Sequence, residues 1–188
     1  MAAYNPYSSD NMQEKLHMTR HPGIDPPAFQ TYIHGFEDNN VLLESSYCYP
    51  RGGGQPGDIG TLTSESVMAP IHEVLPGDMI LHPVDDTDMF EVGEKVSCQI
   101  DTDRRNGHAL MHTAQHIVSA IAEDLWGAET VGNQLTVKSS RVDLLFEDKD
   151  IFNPDDLVDA TNAAISSNLD AVSYTHLRAH ETPEHSVR

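Results

Sequence analysis

"QIDTDRRNGHALMHTAQHIVSA", residues 99–120, is where this chain changes its periodicity. Before it, short apolar runs alternate with turn residues; within it, apolar residues begin to recur at helical spacing. Thr102 or Asp103 can cap a helix here, and Leu110, Ala114, Ile117, Val118, Ile121 and Leu125 form one apolar stripe. At about 100° per residue, that stripe centres far from the row His108, His112 and His116. The three histidines are therefore expected to point away from the face this helix buries.

Upstream, the runs "TYIHGF" (31–36), "NNVLLESSYCY" (39–49), "DIGTLT" (58–63), "MAPIHEV" (68–74), "DMILHPV" (78–84) and "KVSCQID" (95–101) read as strands. Turn chemistry sits at Asn39-Asn40, residues 52–57, Pro76-Gly77 and Gly93. Residues 28–100 are thus expected to form a small β-barrel-like domain. Downstream, "NQLTVK" (133–138) and "RVDLLFE" (141–147) are strand-like. A second helix is expected from Pro154 to about Leu169, with Asn153 as N-cap and Pro154 at N1. Residues 101–171 then make an α+β domain, and the chain as a whole is α+β. Residues 1–27 hold Pro6, Pro22, Pro26 and Pro27 without a sustained period, and read as a flexible lead-in.

After Ala171 the text changes character. "VSYTHLRAHET" (172–182) follows no period and resembles a common sequencing-library adapter translated in frame. Residues 172–188 are read as a non-native tail and excluded from fold reasoning, with the natural protein expected to continue beyond residue 171.

Composition narrows the function classes. The 188 residues suffice for one domain or two small ones. Nothing reads as a membrane span or a secretory signal, and two cysteines, Cys48 and Cys98, are too few for a disulfide scaffold. A cytoplasmic protein is the simplest expectation. The formal charge of −19, with only Lys15, Lys95, Lys138 and Lys149 as lysines, repels nucleic-acid phosphates over most of the surface. Any such contact must be local. An excess of carboxylates would also suit a salty cytoplasm.

His-x-x-x-His occurs at His17/His21, His108/His112, His112/His116 and His176/His180. Spacing alone is weak, so context must separate the four. His17/His21 abuts Pro22-Gly23, and His176/His180 lies in the adapter-like tail. The pairs on the long helix remain, because residues four apart share a face and can chelate one ion. Thr113 follows His112, so the Glu that a zinc-protease helix needs as general base is missing. Neither cysteine belongs to a Cys-x-x-x-His arrangement.

The loop "YPRGGGQPGDIG" (49–60) is the second signal. Gly52, Gly54 and Gly57 match Gly-x-Gly-x-x-Gly, but Pro56 interrupts the loop and a strand follows it. A dinucleotide site is rejected. A tight β-turn needing positive φ is the plainer reading.

Together, "YCYPRGGGQPGDIGTL" (47–62) and "QIDTDRRNGHALMHTAQHIVSA" resemble the alanyl-tRNA editing proteins, the AlaX group, and the matching editing region of alanyl-tRNA synthetase. The resemblance runs from about residue 28 to 171. It implies a small β-barrel-like domain followed by an α+β editing domain with a zinc-binding helix. It implies Zn2+ held by His112 and His116 plus a Cys and a His from a later Cys-x-x-x-His motif, which has no match here. Two of four expected ligands are therefore present, and His108 is an extra neighbour one turn earlier.

The implied activity is hydrolysis of the ester joining serine or glycine to the alanine tRNA, with the tRNA acceptor end as partner. No protein partner and no membrane are implied. Gly52, Gly53, Gly54 and Gln55, with Arg51, resemble the loop that lines or supports the editing pocket. Arg104, Arg105 and Arg141 join Arg51 as candidate phosphate contacts, against the alternative of surface salt bridges. No catalytic residue is assigned. With half the zinc site missing, the 188 residues as they stand are expected to be inactive. Two other readings stay open: a fragment of an alanyl-tRNA synthetase editing region, and a non-catalytic tRNA- or protein-binding module.

Overall fold

The computed structural model describes residues 13–18 and 28–170. The adapter-like tail, and most of the lead-in with its His21, lie outside the described residues. The chain divides into two compact units, Met1–His112 with Gln134–Ser140, and Thr113–Asn133 with Arg141–Arg188.

In the first unit the strands are β1 (Glu14–Lys15), β2 (Phe29–Glu37), β3 (Asn40–Leu43), β4 (Ser45–Ser46), β5 (Gly60–Thr63), β6 (Met68–Ile71), β7 (Leu81–Pro83) and β8 (Lys95–Ile100). Six of them form one sheet in the order β6-β5-β8-β2-β3-β7, and every pairing in it is antiparallel. Alternation decides the buried face. Phe29, Thr31 and Ile33 on β2, Val41 and Leu43 on β3, and Val96, Cys98 and Ile100 on β8 all point inward. Each large apolar side chain fully buried here contributes about 1.5–3 kcal/mol before conformational entropy is subtracted. His82, fully buried on β7, is satisfied at both nitrogens. Its Nδ1–H donates to the Val41 carbonyl (3.0 Å), and Nε2 accepts from the Ser46 hydroxyl (2.9 Å).

The expected barrel is not closed. Edge strands β6 and β7 share no ladder, and the sheet curves only until the His72 N–H reaches the Pro83 carbonyl (2.8 Å). Strand β7, three residues long, is too short to extend that contact into a ladder.

Residues 13–18, part of the expected flexible lead-in, are packed. β1 pairs in parallel with β4, and the buried Gln13 side chain bridges the backbone of β3 and that of Ile80, just before β7. Its Nε2 donates to the Leu43 carbonyl (2.9 Å), and its Oε1 accepts from the Ile80 N–H (2.7 Å). The polar composition read as looseness is used for backbone hydrogen bonding instead.

Helix α1 (Thr102–Trp126) begins in the first unit and continues into the second. Its cap is Asp101, one residue before the expected position: Asp101 Oδ1 accepts the Arg104 N–H (2.9 Å). Gly127 ends it at φ +63°, with its N–H donating to the Glu123 carbonyl (2.7 Å).

In the second unit, β9 (Glu129–Gln134) pairs with β10 (Arg141–Leu145), and α2 (Pro154–Ser166) follows. Asn153 caps α2 through its side-chain oxygen to the Asp155 N–H (3.0 Å), with Pro154 in the first turn, as the sequence led us to expect. The helix stops three residues short of Leu169, where Asn168 adopts φ +47°. Trp126, Phe146 and Phe152 form an aromatic cluster with centroids 5.2–6.1 Å apart. No described helix is long and apolar enough to cross a membrane.

Candidate functional site

The glycine-rich loop and the start of α1 meet within the first unit. Gly52 and Gln55 bond reciprocally, Gly52 N–H to Gln55 O (3.1 Å) and Gln55 N–H to Gly52 O (2.9 Å). Between them Gly53 and Gly54 take φ +58° and +78°. Two consecutive positive φ values define a type I′ turn, which strongly favours glycine at both positions. The run Gly52-Gly53-Gly54 is thus explained by backbone geometry, and it presents Gly53 and Gly54 at the surface.

The turn is fixed from several sides. Tyr49 donates its hydroxyl to the Gly52 carbonyl (3.2 Å), and the buried Leu135 donates its N–H to the Gly54 carbonyl (3.0 Å). Gly57 lies so close to Val74 that a Cβ would fall 2.0 Å from its carbonyl oxygen. The N–H of Gly57 donates to Glu73 (2.9 Å), whose carboxylate also holds Arg51 in a two-point ion pair. Arg51 therefore lies beside the turn but is committed to Glu73, which the arginine pushes below the usual carboxylate range.

A buried ion pair locks the helix to the loop. Asp58 and Arg105 are each almost inaccessible, and the Arg105 Nε lies 2.8 and 2.9 Å from the two Asp58 oxygens. Its Nη2 also bonds Asp58 and donates to the Tyr47 carbonyl (2.7 Å), while the Tyr49 N–H donates to Asp58 (2.8 Å). The desolvation cost of such a pair is offset only when its remaining hydrogen bonds are made, as they are here. Arg104 donates to the Gly57 carbonyl (2.6 Å).

Docking by this pair overturns the expected orientation of the histidine row. His108 is buried, and His112 is half-buried, whereas Leu110 of the apolar stripe is 72% exposed. Hydrophobic phase assumes that the most apolar face turns inward; here a buried Arg–Asp pair turns the polar face of the first turns inward instead. Burial then lowers the pKa of His108, with Arg104 adding to the effect.

His112 meets the turn directly. Its Nδ1 lies 2.9 Å from Oε1 of Gln55, whose side chain is 1% exposed. A Cβ on Gly53 would lie 3.4 Å from Cε1 and 3.7 Å from Nε2 of His112. The other expected ligand, His116, is exposed on the next turn of the same helix. Its four-residue spacing from His112 suits chelation of one ion. Among the described residues, no group of three or more His, Cys, Asp or Glu side chains is placed to hold a metal. Of the donors that the resemblance implies, His112 and His116 are the two that lie among the described residues.

Of the candidate phosphate contacts, Arg105 is excluded by burial, and Arg141 pairs with Asp143 at 3.1 Å on the surface. Sequence reasoning missed Asp58, Glu73 and Tyr49. Only the loop's folding back brings them to the turn, and no local spacing announces that.

Residues 12–104 match the family model for class II (A) tRNA synthetases. The alanyl-tRNA editing protein AlaX-M of Methanosarcina barkeri is 39% identical over 125 residues, covering 62% of this chain and 51% of that protein. The AlaX-M protein of Saccharolobus solfataricus is 33% identical over 149 residues, covering 78% of this chain and 62% of that protein. The alanine–tRNA ligase of Methanothermobacter thermautotrophicus is 37% identical over 123 residues, 14% of its length. The chain thus spans about half the length of the first of these editing proteins. With the glycine-rich turn seated on the helix that carries "HTAQH", the chain is similar to alanyl-tRNA editing proteins and to part of the alanine–tRNA ligases.

Proposed function

We propose that this protein is an aminoacyl-tRNA deacylase that hydrolyses the ester of alanine tRNA mischarged with serine or glycine. The observation that carries the reading is the seat of His112 against the Gly53–Gly54 turn, held by Gln55. The named editing relatives support it.

The need for such an activity follows from size. A synthetase pocket shaped for a methyl group discriminates by only about 1–3 kcal/mol against glycine, which is smaller, or serine, which adds a hydroxyl. A second site that hydrogen-bonds the serine hydroxyl rejects alanine better, because alanine would leave that partner unpaired.

In this reading His112 and His116 would hold Zn2+, with further donors from a segment beyond the described residues. Zinc, when bound, supplies Lewis acidity suited to ester hydrolysis. The residues of this chain do the positioning. Gly53 and Gly54, without side chains and exposed, let a substrate approach the turn's backbone closely. Asp58 and Arg105 hold the helix that bears His112 against that turn. With a net charge of −19, contact with the tRNA acceptor end is confined to a few cations, and the exposed Arg51 would have to exchange its surface ion pair with Glu73 for a phosphate to be one of them.

Two measurements test the proposal. Genomic DNA past codon 171 should encode a Cys-x-x-x-His pattern, and a natural stop codon at that point would overturn the enzymatic reading. The protein read through that frame should deacylate seryl- or glycyl-tRNA of alanine identity and spare correctly charged alanyl-tRNA; equal loss of all three would refute it. For the 188 residues themselves, zinc binding is expected to be weak and deacylation absent.

A further inference from the structure

We infer that Gln55 is a positioning residue: its side-chain oxygen fixes the ring of His112 with the proton on Nδ1, so that Nε2 is the lone-pair nitrogen beside the glycine turn. The inference rests on the reading of His112 as a working residue of the editing site.

Three observations carry it. The first is geometric. Oε1 of Gln55 lies 2.9 Å from Nδ1 of His112, and an amide oxygen can only accept. In the neutral ring the proton must then sit on Nδ1, which leaves the lone pair on Nε2. The hydrogen bond made by one ring nitrogen sets what the other can do.

The second observation is burial. At 1% exposure, the Gln55 side chain is turned into the protein and away from anything that docks on the exposed Gly53 and Gly54. It supports the site from beneath.

The third is a cost. Nε2 of Gln55 is buried and has no hydrogen-bond partner among the described residues. A buried, unpaired amide donor is unfavourable, and an apolar side chain of similar size would avoid it. Stability does not explain a glutamine here; the bond its side chain makes among the described residues, to His112, does. His82 offers the contrast. It is a structural histidine whose Nδ1–H goes to a backbone carbonyl and whose Nε2 accepts from Ser46 inside the core. His112 instead takes its orientation from a side chain on the glycine loop, so loop and helix are registered through that ring. Partners of this kind on histidine ligands typically change metal affinity by about 10–100-fold.

The test uses nitrogen-15 NMR of the metal-free 188-residue chain at about pH 8, where exposed imidazoles are neutral. His112 should show the Nδ1–H tautomer in the wild type and in Gln55→Glu, which keeps an acceptor oxygen. In Gln55→Met it should shift to a mixture or to Nε2–H, with little change in the unfolding midpoint. The His82 signals, unchanged in every variant, report that the core is intact. An Nε2–H wild type, or a Gln55→Met variant that keeps Nδ1–H, overturns the inference. If Gln55→Met loses the His82 signature, Gln55→Glu decides, because loss of Nδ1–H there is equally fatal. Titration with Zn2+ alone then separates the two claims. His112→Ala should abolish whatever binding the wild type shows, and Gln55→Met should weaken it about tenfold. Zinc binding that His112→Ala leaves intact defeats the zinc reading while the tautomer result stands.

Discussion

The first unit is built mostly of strand and the second mostly of helix, and they bury their apolar residues differently. In the first, Phe29, Ile33, Leu43, Leu62, Val96 and their neighbours form a continuous core, most of them almost fully inaccessible. In the second, α2 buries no residue, and Val131, Leu145, Val158, Ile165 and Leu169 are each more than half exposed. Its best-covered apolar side chains are the small Ala122 and Ala128. A sheet with one closed face supplies its own hydrophobic driving force, whereas a hairpin and a short helix with exposed apolar faces do not. The first unit is therefore expected to hold the stability of the chain, and the second to follow it.

The harshest way to break that comparison is to attack the ion pair that docks α1. Asp58→Ala leaves Arg105 charged and buried, and should cost about 3–5 kcal/mol in urea unfolding followed by circular dichroism. A loss below about 1 kcal/mol would show that the pair is solvated and that the helix is held otherwise.

Gly57→Ala probes the loop without touching charge. Its Cβ would meet the Val74 carbonyl at 2.0 Å, so backbone must move, at roughly 1–3 kcal/mol by the same measurement. Asn153→Ala sharpens the other side. Removing the α2 cap should cost about 1 kcal/mol locally, read as faster amide exchange across residues 154–166. The exchange of β2 and β8 should not change. If those strands also open faster, the two units unfold as one and the comparison fails.

The smallest effect expected is on pH dependence. His17, packed edge-on against Tyr49, is held down from 6.5 to about 4, first by burial and then by Arg105 and Lys15. The unfolded chain binds this proton more readily, so the contribution is complete above pH 6.5 and is lost as pH falls toward 4. His17→Gln should flatten the dependence of the urea midpoint between those limits. An unaltered slope would mean that His17 titrates normally.

Much of this was legible in the sequence because it is local. Period-two runs announce the strands, Asn153-Pro154 announces α2, and three consecutive glycines announce a turn of positive φ. The likeness to the editing proteins was readable too, because loop and helix motifs occur in a fixed order. Orientation was not readable. Phase analysis put the histidines on the outer face, since it weighs only hydrophobicity, and Arg105 is buried by a carboxylate 47 residues away. The lead-in looked loose because Gln13 and His17 are polar, though Gln13 is buried with both ends of its amide bonded.

By itself, then, the sequence determined the elements, the turn that must be glycine and the likeness to the editing proteins. Each of these rests on backbone preference or spacing within a short window. Only the tertiary structure decided which face of α1 is buried, that Arg51 answers to Glu73, and that Gln55 reaches His112. Those outcomes depend on charges and hydrogen-bonding groups distant in sequence, whose cost of burial can be met only once the chain has brought them together.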